Sequence, residues 1–279
     1  METKLLDGRA LAAQIQEDLS AELASMQRVP KLAVVLVDGS EASRIYVRNK
    51  LKKAIAVGIQ TQVHELSPMI STETLIAFVH ELNKDELVDG ILVQLPLPKH
   101  IDTNAVIEAI DPNKDVDGLT SINLGHLMAN RPNLIPCTPL GCMQLIHLAK
   151  KDLTGLNAVV IGRSRLVGRP MAQLLLAENC TVTIAHSKTR NLAPLCRTAD
   201  ILISATGQPG LVTDNYIKPG AIVIDVGISK TADGHIIGDV NMERVKGIAG
   251  WLTPVPGGVG PMTITMLLTN MLQIVKQKS

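Results

Sequence analysis

The chain has 279 residues, long enough for two domains with a substantial core. Its formal net charge of +1 leaves no electrostatic case for nucleic-acid binding, and no apolar run reaches the roughly 18 residues of a transmembrane helix. One Trp, two Tyr and one Phe stand against 46% hydrophobic residues, so the core must be built from Leu, Ile, Val, Ala and Met. The four cysteines (Cys137, Cys142, Cys180, Cys196) have no C-x-x-C spacing and read as small buried hydrophobes of a reducing cytosol. The seven histidines form no H-E-x-x-H or similar pattern, so no metal site is expected. The opening residues Met1 to Asp7 carry no signal-peptide core, which points to a cytoplasmic, membrane-free protein.

In chain order, Asp7 to Met26 predicts an amphipathic helix, with Leu11, Ile15, Leu19, Leu23 and Met26 at helical spacing and Pro30 beyond it. Lys31 to Val37 is a buried strand. After the turn Asp38-Gly39-Ser40, with Ser40 as N-cap, a helix runs from Glu41 to Val57 and closes at Gly58. Gln60 to Leu66 is a more polar strand suited to an edge. Ser71 to Leu82 is a helix, Val88 to Gln94 a buried strand ending at Leu95-Pro96-Leu97-Pro98, and Asp102 to Ile110 a short helix. Strands alternating with helices predict α/β architecture with a parallel sheet. Asp111 to Pro139, rich in Asp-Pro, Asp-Gly and Arg-Pro pairs, predicts a loop-rich connector, and Thr138 to Lys150 a helix joining two halves.

The second half is organised around Asn157 to Pro170 (NAVVIGRSRLVGRP). The apolar run Ala158–Ile161 suits a strand buried on both faces, Gly162 ends it, and Val167 to Ala177 reads as a helix. Strand, glycine turn and helix form the phosphate-binding corner of a Rossmann unit, although Ser164 replaces the second glycine of G-x-G-x-x-G and Gly168 falls one place late. Further strands are predicted near 181–184, 201–204 and 221–225. Gly250 to Gly260 is irregular, and Pro261 suits the first turn of a last helix, which runs to about Lys276 and folds back on the N-terminal domain. The strand at 181–184 ends in Ala185-His186-Ser187-Lys188-Thr189-Arg190 with no acid to bind a ribose 2′-hydroxyl. Ser187 and the cations Arg163, Lys188 and Arg190 suit a 2′-phosphate instead. One or two charge-assisted hydrogen bonds of roughly 1.5–3 kcal/mol favour NADP over NAD by about tenfold to a few hundredfold.

Other unusual residues fall at strand ends, where open parallel sheets bind ligands. Tyr46 and Lys50 share one helix face with Ser43. By spacing alone Lys50 is a lysine snorkelling at a core boundary, Gln94 is as readily a structural amide as a functional one, and Lys114-Asp-Val-Asp117-Gly is an ordinary turn. The segment Pro254 to Thr263, with three glycines in four residues before a helix start, lets the backbone lie against something flat or anionic, or hinges.

These blocks together carry a family resemblance. Ser43-Arg-Ile-Tyr-Val-Arg-Asn-Lys50, Gly90-Ile-Leu-Val-Gln-Leu-Pro-Leu-Pro98, Lys114 to Asn123, Ile135-Pro-Cys-Thr-Pro139, Val160 to Ser164, His186-Ser-Lys188, Ala205 to Pro209 and Thr253 to Thr263 occur in this order over nearly the whole chain. The sequence resembles the bifunctional methylenetetrahydrofolate dehydrogenase/methenyltetrahydrofolate cyclohydrolases, whose glycine turn has this same imperfect form. The resemblance implies an N-terminal parallel α/β sheet domain and a C-terminal Rossmann-like domain around a cleft, usually in a homodimer. It places the folate-binding catalytic domain at 1–138 plus 261–279 and the NADP domain at 139–260. It implies NADP on Gly162, Arg163, Ser164, Ser187, Gly227 and Ile228. Lys50 would be the key catalytic residue, with Tyr46, Gln94 and Asp117. A small-molecule folate would lie against Ser43, Tyr46, Lys50, Val93, Gln94, Leu95, Asp117, Pro256, Gly257, Gly258, Val259, Gly260, Pro261 and Thr263. The implied reaction is oxidation of 5,10-methylenetetrahydrofolate, then hydrolysis to 10-formyltetrahydrofolate. Two other classes share parts of the pattern: an NADP oxidoreductase of the shikimate dehydrogenase kind, and a dinucleotide sensor without turnover.

Overall fold

The computed structural model describes residues 2–37, 41–231 and 233–278; the side chains at 41–43, 45 and 46 fall outside the description, as does the expected cap Ser40. In chain order the elements are β1 (Lys4–Leu5), α1 (Gly8–Ala24), β2 (Lys31–Leu36), α2 (Glu41–Ala56), β3 (Gln60–Glu65), α3 (Thr72–Lys84), β4 (Gly90–Val93), α4 (Thr103–Glu108), α5 (Ser121–Met128), α6 (Cys137–Ala149) and β5 (Asn157–Ile161). There follow α7 (Gly168–Ala177), β6 (Thr181–Ala185), α8 (Leu192–Cys196), β7 (Ile201–Ser204), β8 (Ile222–Asp225), β9 (Ser229–Lys230), β10 (Ile236–Ile237), α9 (Met242–Val245), β11 (Trp251–Leu252) and α10 (Val259–Lys278). They form two compact units: Gln14–Cys137 with Ile264–Ser279, and Met1–Ala13 with Thr138–Thr263.

The first unit carries a parallel sheet in the order β3-β2-β4. The apolar run of β2 is buried on both faces, as a central parallel strand requires. Strand β4 is equally buried at one edge, where the Lys114–Asp115 segment covers it with Ile91 N–H donating to Lys114 O at 2.7 Å. Strand β3, at the other edge, is more exposed, as its polarity predicts. The core joins Val35, Ile91, Val79 of α3 and Val106 of α4. Ser71 caps α3 through the Thr74 N–H, and Asp102 caps α4. Lys114 closes the other end of α3: its ammonium donates to the Leu82, Asn83 and Asp85 carbonyls at 3.2, 2.7 and 2.8 Å.

The second unit holds a six-stranded, wholly parallel sheet in the order β1-β11-β8-β7-β5-β6. Strand β5 lies second from one edge, with the chain stepping first outward to the edge strand β6 and then back to β7 and β8 on its other side. That reversal is the topological switch point of a doubly wound sheet. Its core includes Val159, Ile161, Leu202, Val223 and Leu252.

Three expectations need correction. The region Asp111 to Pro139 is not all loop: Thr120 caps the eight-residue helix α5 by accepting the Asn123 N–H, and α5 buries Asn123 and Leu127. The stretch Gly250 to Gly260 is not irregular throughout: Trp251 and Leu252 form β11 beside β8, and the final helix begins at Val259, which keeps Pro261 in its first turn as expected. Residues 1–13 group with the second unit, whereas 1–138 were expected together. The physical reason is β1, which joins the sheet edge beside β11, with Leu6 N–H donating to Leu252 O at 2.9 Å.

Just before β4, Asp89 is fully buried and accepts from the Lys31 N–H at 2.9 Å, from both Arg28 terminal nitrogens, and from Lys278 at 3.3 Å. Burial alone would raise its carboxyl pKa, but the Arg28 and Lys31 hydrogen bonds and the two cations outweigh it and hold the group below its ordinary value. We predict that Asp89→Asn lowers stability by about 1–3 kcal/mol at pH 7. Because the folded-state pKa is depressed, this difference is fully present above about pH 4 and closes as the pH falls below it, which urea unfolding at several pH values checks.

Candidate active site

In the first unit, α2 and the end of β4 bring two predicted residues together. Lys50 and Gln94 are each 7% exposed, and Lys50 Nζ lies 3.3 Å from Gln94 Oε1. The Gln94 amide is held in turn, with its Nε2 donating to Leu95 O and its backbone N–H to Val35 O. Val93 beside it is buried and Leu95 half-buried. Ser43 and Tyr46 lie on α2, and their side chains are outside the described residues. Asp117 joins this neighbourhood electrostatically. Desolvation raises its carboxyl pKa and the Asp115 charge adds to the rise, while the Lys50 charge and a hydrogen bond with the Cys137 thiol oppose it. The Cys137 thiol is itself pushed well above its ordinary value by burial and the Asp117 charge, so it remains a neutral donor. One amide fixes the backbone here: Asn270 Nδ2 donates to Val116 O at 2.8 Å and Ile135 O at 2.9 Å.

In the second unit, Pro254 to Pro261 lines a cavity of about 160 Å³ with Arg9, Asp225, Gly227 and Ile228. Within that segment the Gly258 N–H closes a turn on Pro254 O at 2.8 Å. Thr263 faces the Thr138 hydroxyl at 3.0 Å.

The glycine corner sits at the end of β5. Gly162 has φ +130°, and a Cβ there would lie 2.4 Å from Ala205 O, so only glycine fits. Gly168 packs the start of α7 back onto this turn, where a Cβ would lie 2.1 Å from Gly162 O. Ser164 explains its own presence in place of glycine. Its hydroxyl accepts the Val167 and Gly168 N–H groups at 3.1 and 3.4 Å, and its carbonyl accepts the Arg169 N–H at 3.1 Å. The helix start is thus capped from within, which refines the expectation that its N–H groups point outward at a pyrophosphate. Arg163 is exposed on the turn. At the end of β6, His186 N–H donates to Thr189 Oγ1 at 2.9 Å and Lys188 N–H to His186 Nδ1 at 3.1 Å, a tight turn that leaves Ser187, Lys188 and Arg190 exposed. No acid stands there.

The tetrahydrofolate dehydrogenase/cyclohydrolase models match this chain twice, the catalytic domain over residues 6–117 and the NAD(P)-binding domain over residues 136–279. The chain belongs to the tetrahydrofolate dehydrogenase/cyclohydrolase family. It is 50% identical over 274 residues to the bifunctional protein FolD of Streptococcus equi subsp. zooepidemicus, covering 97% of this chain and 96% of that one. Among solved structures it superimposes on the bifunctional FolD methylenetetrahydrofolate dehydrogenase/cyclohydrolase of Campylobacter jejuni with TM-score 0.96, at 44% identity and over 99% of this chain and 100% of that one. The Trypanosoma brucei enzyme, crystallised with NADP and an inhibitor, gives TM-score 0.94 at 40% identity, over 100% of this chain and 99% of that one.

Several residues in these regions have no local sequence signal. Arg9, Cys137 and Asn270 reach their places through contacts distant in sequence. Asp225 and Asp239 are also buried here. Burial pushes the Asp225 carboxyl up to about 6 against three N–H donors that favour its charged form, and the Asp239 charge adds to the rise. Among the described residues no helix is long and apolar enough to cross a membrane.

Gly162 and Gly155 separate conformational strain from collision. Both have positive φ, but nothing lies within 4 Å of a Cβ at Gly155. We predict that Gly162→Ala costs about 1–3 kcal/mol more than Gly155→Ala, read as the difference between their denaturant midpoints.

Proposed function

We propose that this chain oxidises 5,10-methylenetetrahydrofolate with NADP and hydrolyses the methenyl product to 10-formyltetrahydrofolate, with Lys50 as the group that moves protons in the second step. The observation that carries this reading is the buried Lys50–Gln94 contact, beside an Asp117 whose carboxyl feels the Lys50 charge. A buried amine held by an amide oxygen, close to a carboxylate, is equipment for proton transfer and orientation. A protein that only senses a dinucleotide has no use for it. The residues of the second unit fit NADP: the glycine turn leaves room where a Cβ would collide, and the end of β6 offers Ser187 and cations without an acid. Bound NADP supplies the hydride acceptor.

In this reading Gly162, Arg163, Ser164, Ser187, Gly227 and Ile228 hold the cofactor. Asp117 accepts hydrogen bonds from the donor edge of the pterin, and Ser43, Tyr46, Val93, Leu95, Pro256 to Pro261 and Thr263 contribute to the folate site. Water adds to the methenyl carbon and gives up a proton, and the ring opens as one carbon–nitrogen bond breaks. Lys50 mediates these transfers, while Gln94 Oε1 fixes where its amine points. We further read the chain as a homodimer, on the family resemblance, and as cytoplasmic, on four buried free thiols; light scattering tests the first.

Two substitutions test the roles. Lys50→Met is expected to reduce cyclohydrolase activity by about 100-fold or more while dehydrogenase activity changes far less; equal loss of both would make Lys50 a binding residue. Arg163→Ala is expected to raise the KM for NADP by about tenfold to 100-fold with NAD little affected, whereas equal effects would refute 2′-phosphate recognition.

A further inference from the structure

Two acids that the proposed chemistry does not use are buried where β7 and β8 end. Asp225 is 3% exposed. Its Oδ1 accepts the N–H groups of Gly227 and Asp239, and its Oδ2 accepts that of Val240, all at 2.9 Å. Asp239 is fully buried, and its Oδ2 accepts from Ser204 Oγ at 3.1 Å, Thr206 N–H at 2.7 Å and Gly207 N–H at 3.3 Å. The two segments are packed reciprocally. A Cβ on Gly227 would lie 2.2 Å from Asp239 Oδ1, and one on Gly238 would lie 1.9 Å from Asp225 Oδ2. Each carboxylate therefore lies against the glycine of the other segment. Asp239 Oδ1 has no hydrogen-bond partner, so that contact with Gly227 is the surface it presents.

A carboxylate is an acceptor at both oxygens, and here two of them face backbone N–H groups from three directions. This array fixes the segment after β8 (Asp225–Ile228), the segment after β7 (Ala205–Gly207) and Gly238–Val240 as one body. The post-β7 segment starts at Ala205, the residue whose carbonyl closes over Gly162. The chain of contact thus runs from the glycine corner of β5, through the end of β7, to the end of β8.

The sheet order says which half of a dinucleotide this serves. In a doubly wound sheet the pyrophosphate lies at the central glycine turn and the 2′-phosphate-bearing half over the next strand, here β6. The other half lies over β7 and β8. We propose that Asp225 and Asp239 are positioning residues for the nicotinamide half of the cofactor: together they hold Gly227 and Ile228 in the wall of the cavity that Arg9 and Pro254–Pro261 also line. This rests on the NADP reading of the second unit. Neither acid is asked to touch the cofactor.

The test compares whole and half cofactor on the full chain. NADPH binding is followed by its fluorescence, and 2′,5′-ADP binding by calorimetry, in wild type, Asp239→Asn and Gly238→Ala. Asn at 239 keeps the shape and can keep its oxygen on the Ser204, Thr206 and Gly207 donors, but it loses the charge and sets an NH2 group against Gly227; Ala at 238 drives a methyl into Asp225. Each is expected to weaken NADPH about tenfold or more and 2′,5′-ADP less than twofold. Cyclohydrolase activity on supplied methenyltetrahydrofolate, which consumes no dinucleotide, is expected to stay within twofold, and this also reports that the variants fold. Equal weakening of both ligands would overturn the proposal in favour of a general structural role. Unchanged NADPH binding in a folded variant would overturn it outright. If wild type binds neither NADPH nor 2′,5′-ADP, the NADP reading has failed instead.

Discussion

Both units depend on carboxylates taken out of water and used as acceptors for backbone N–H groups. Burying an ion is costly unless hydrogen bonds replace its hydration. Asp89 meets this demand with Lys31 N–H and two cations, and Asp115 with the Thr120 N–H at 2.7 Å and the Asn123 side chain at 3.0 Å. Asp225 and Asp239 meet it almost wholly with uncharged donors. Asp225 closes β8, Asp239 follows β10, Asp115 sits in the turn before α5 and Asp89 stands at the entry to β4, points where the chain would otherwise be free to choose its direction. Apolar burial makes the sheets; the acids decide how the chain enters and leaves them.

The chemistry proposed for this family member follows from that division of labour. In the catalytic unit the end of β4 delivers Gln94 to Lys50, and Asn270 holds the backbone carbonyls flanking Asp117 and Pro136. The groups proposed to react are few, and the surrounding polar contacts hold their backbone in place. In the nucleotide unit the glycine corner is stiffened by its own serine, whose hydroxyl accepts two N–H groups at the start of α7, and Arg163 is exposed on that turn. Positioning on rigid strand ends, rather than on mobile loops, suits a reaction that must align two ring systems.

Much of this was legible from residue order. The runs of β2, β4, β5, β7 and β8 are continuous and apolar, so their burial on two faces could be read directly, and β3 betrayed its edge position by polarity. Helix α5 was hidden because Asp117-Gly118 and Arg131-Pro132 bracket a short stretch containing Gly125, and turn residues outweigh eight residues of weak periodicity. The two residues of β1 have no pattern of their own, and only Trp251 and Leu252 make them a strand. Lys50 and Gln94 lie 44 positions apart, so spacing favoured a snorkelling lysine; family resemblance, not periodicity, joined them. The paired Asp-x-Gly and Gly-Asp at 225–227 and 238–239 are visible in the sequence, but their reciprocal packing exists only in three dimensions.

The edge strand β1 has a consequence for how the molecule comes into being. Residues 4 and 5 belong to a sheet whose other members begin at residue 157, and the bond from Leu6 to Leu252 closes a loop spanning most of the chain. The catalytic unit has the mirror condition, since it is completed by Ile264–Ser279. Neither unit corresponds to a continuous stretch that a ribosome could release and leave to fold while the rest is made. The loop-closure entropy of both falls due together, late, after the last strand and last helix have emerged. The early-synthesised residues must stay soluble and uncommitted until then, which couples the birth of the two units although each has a core of its own.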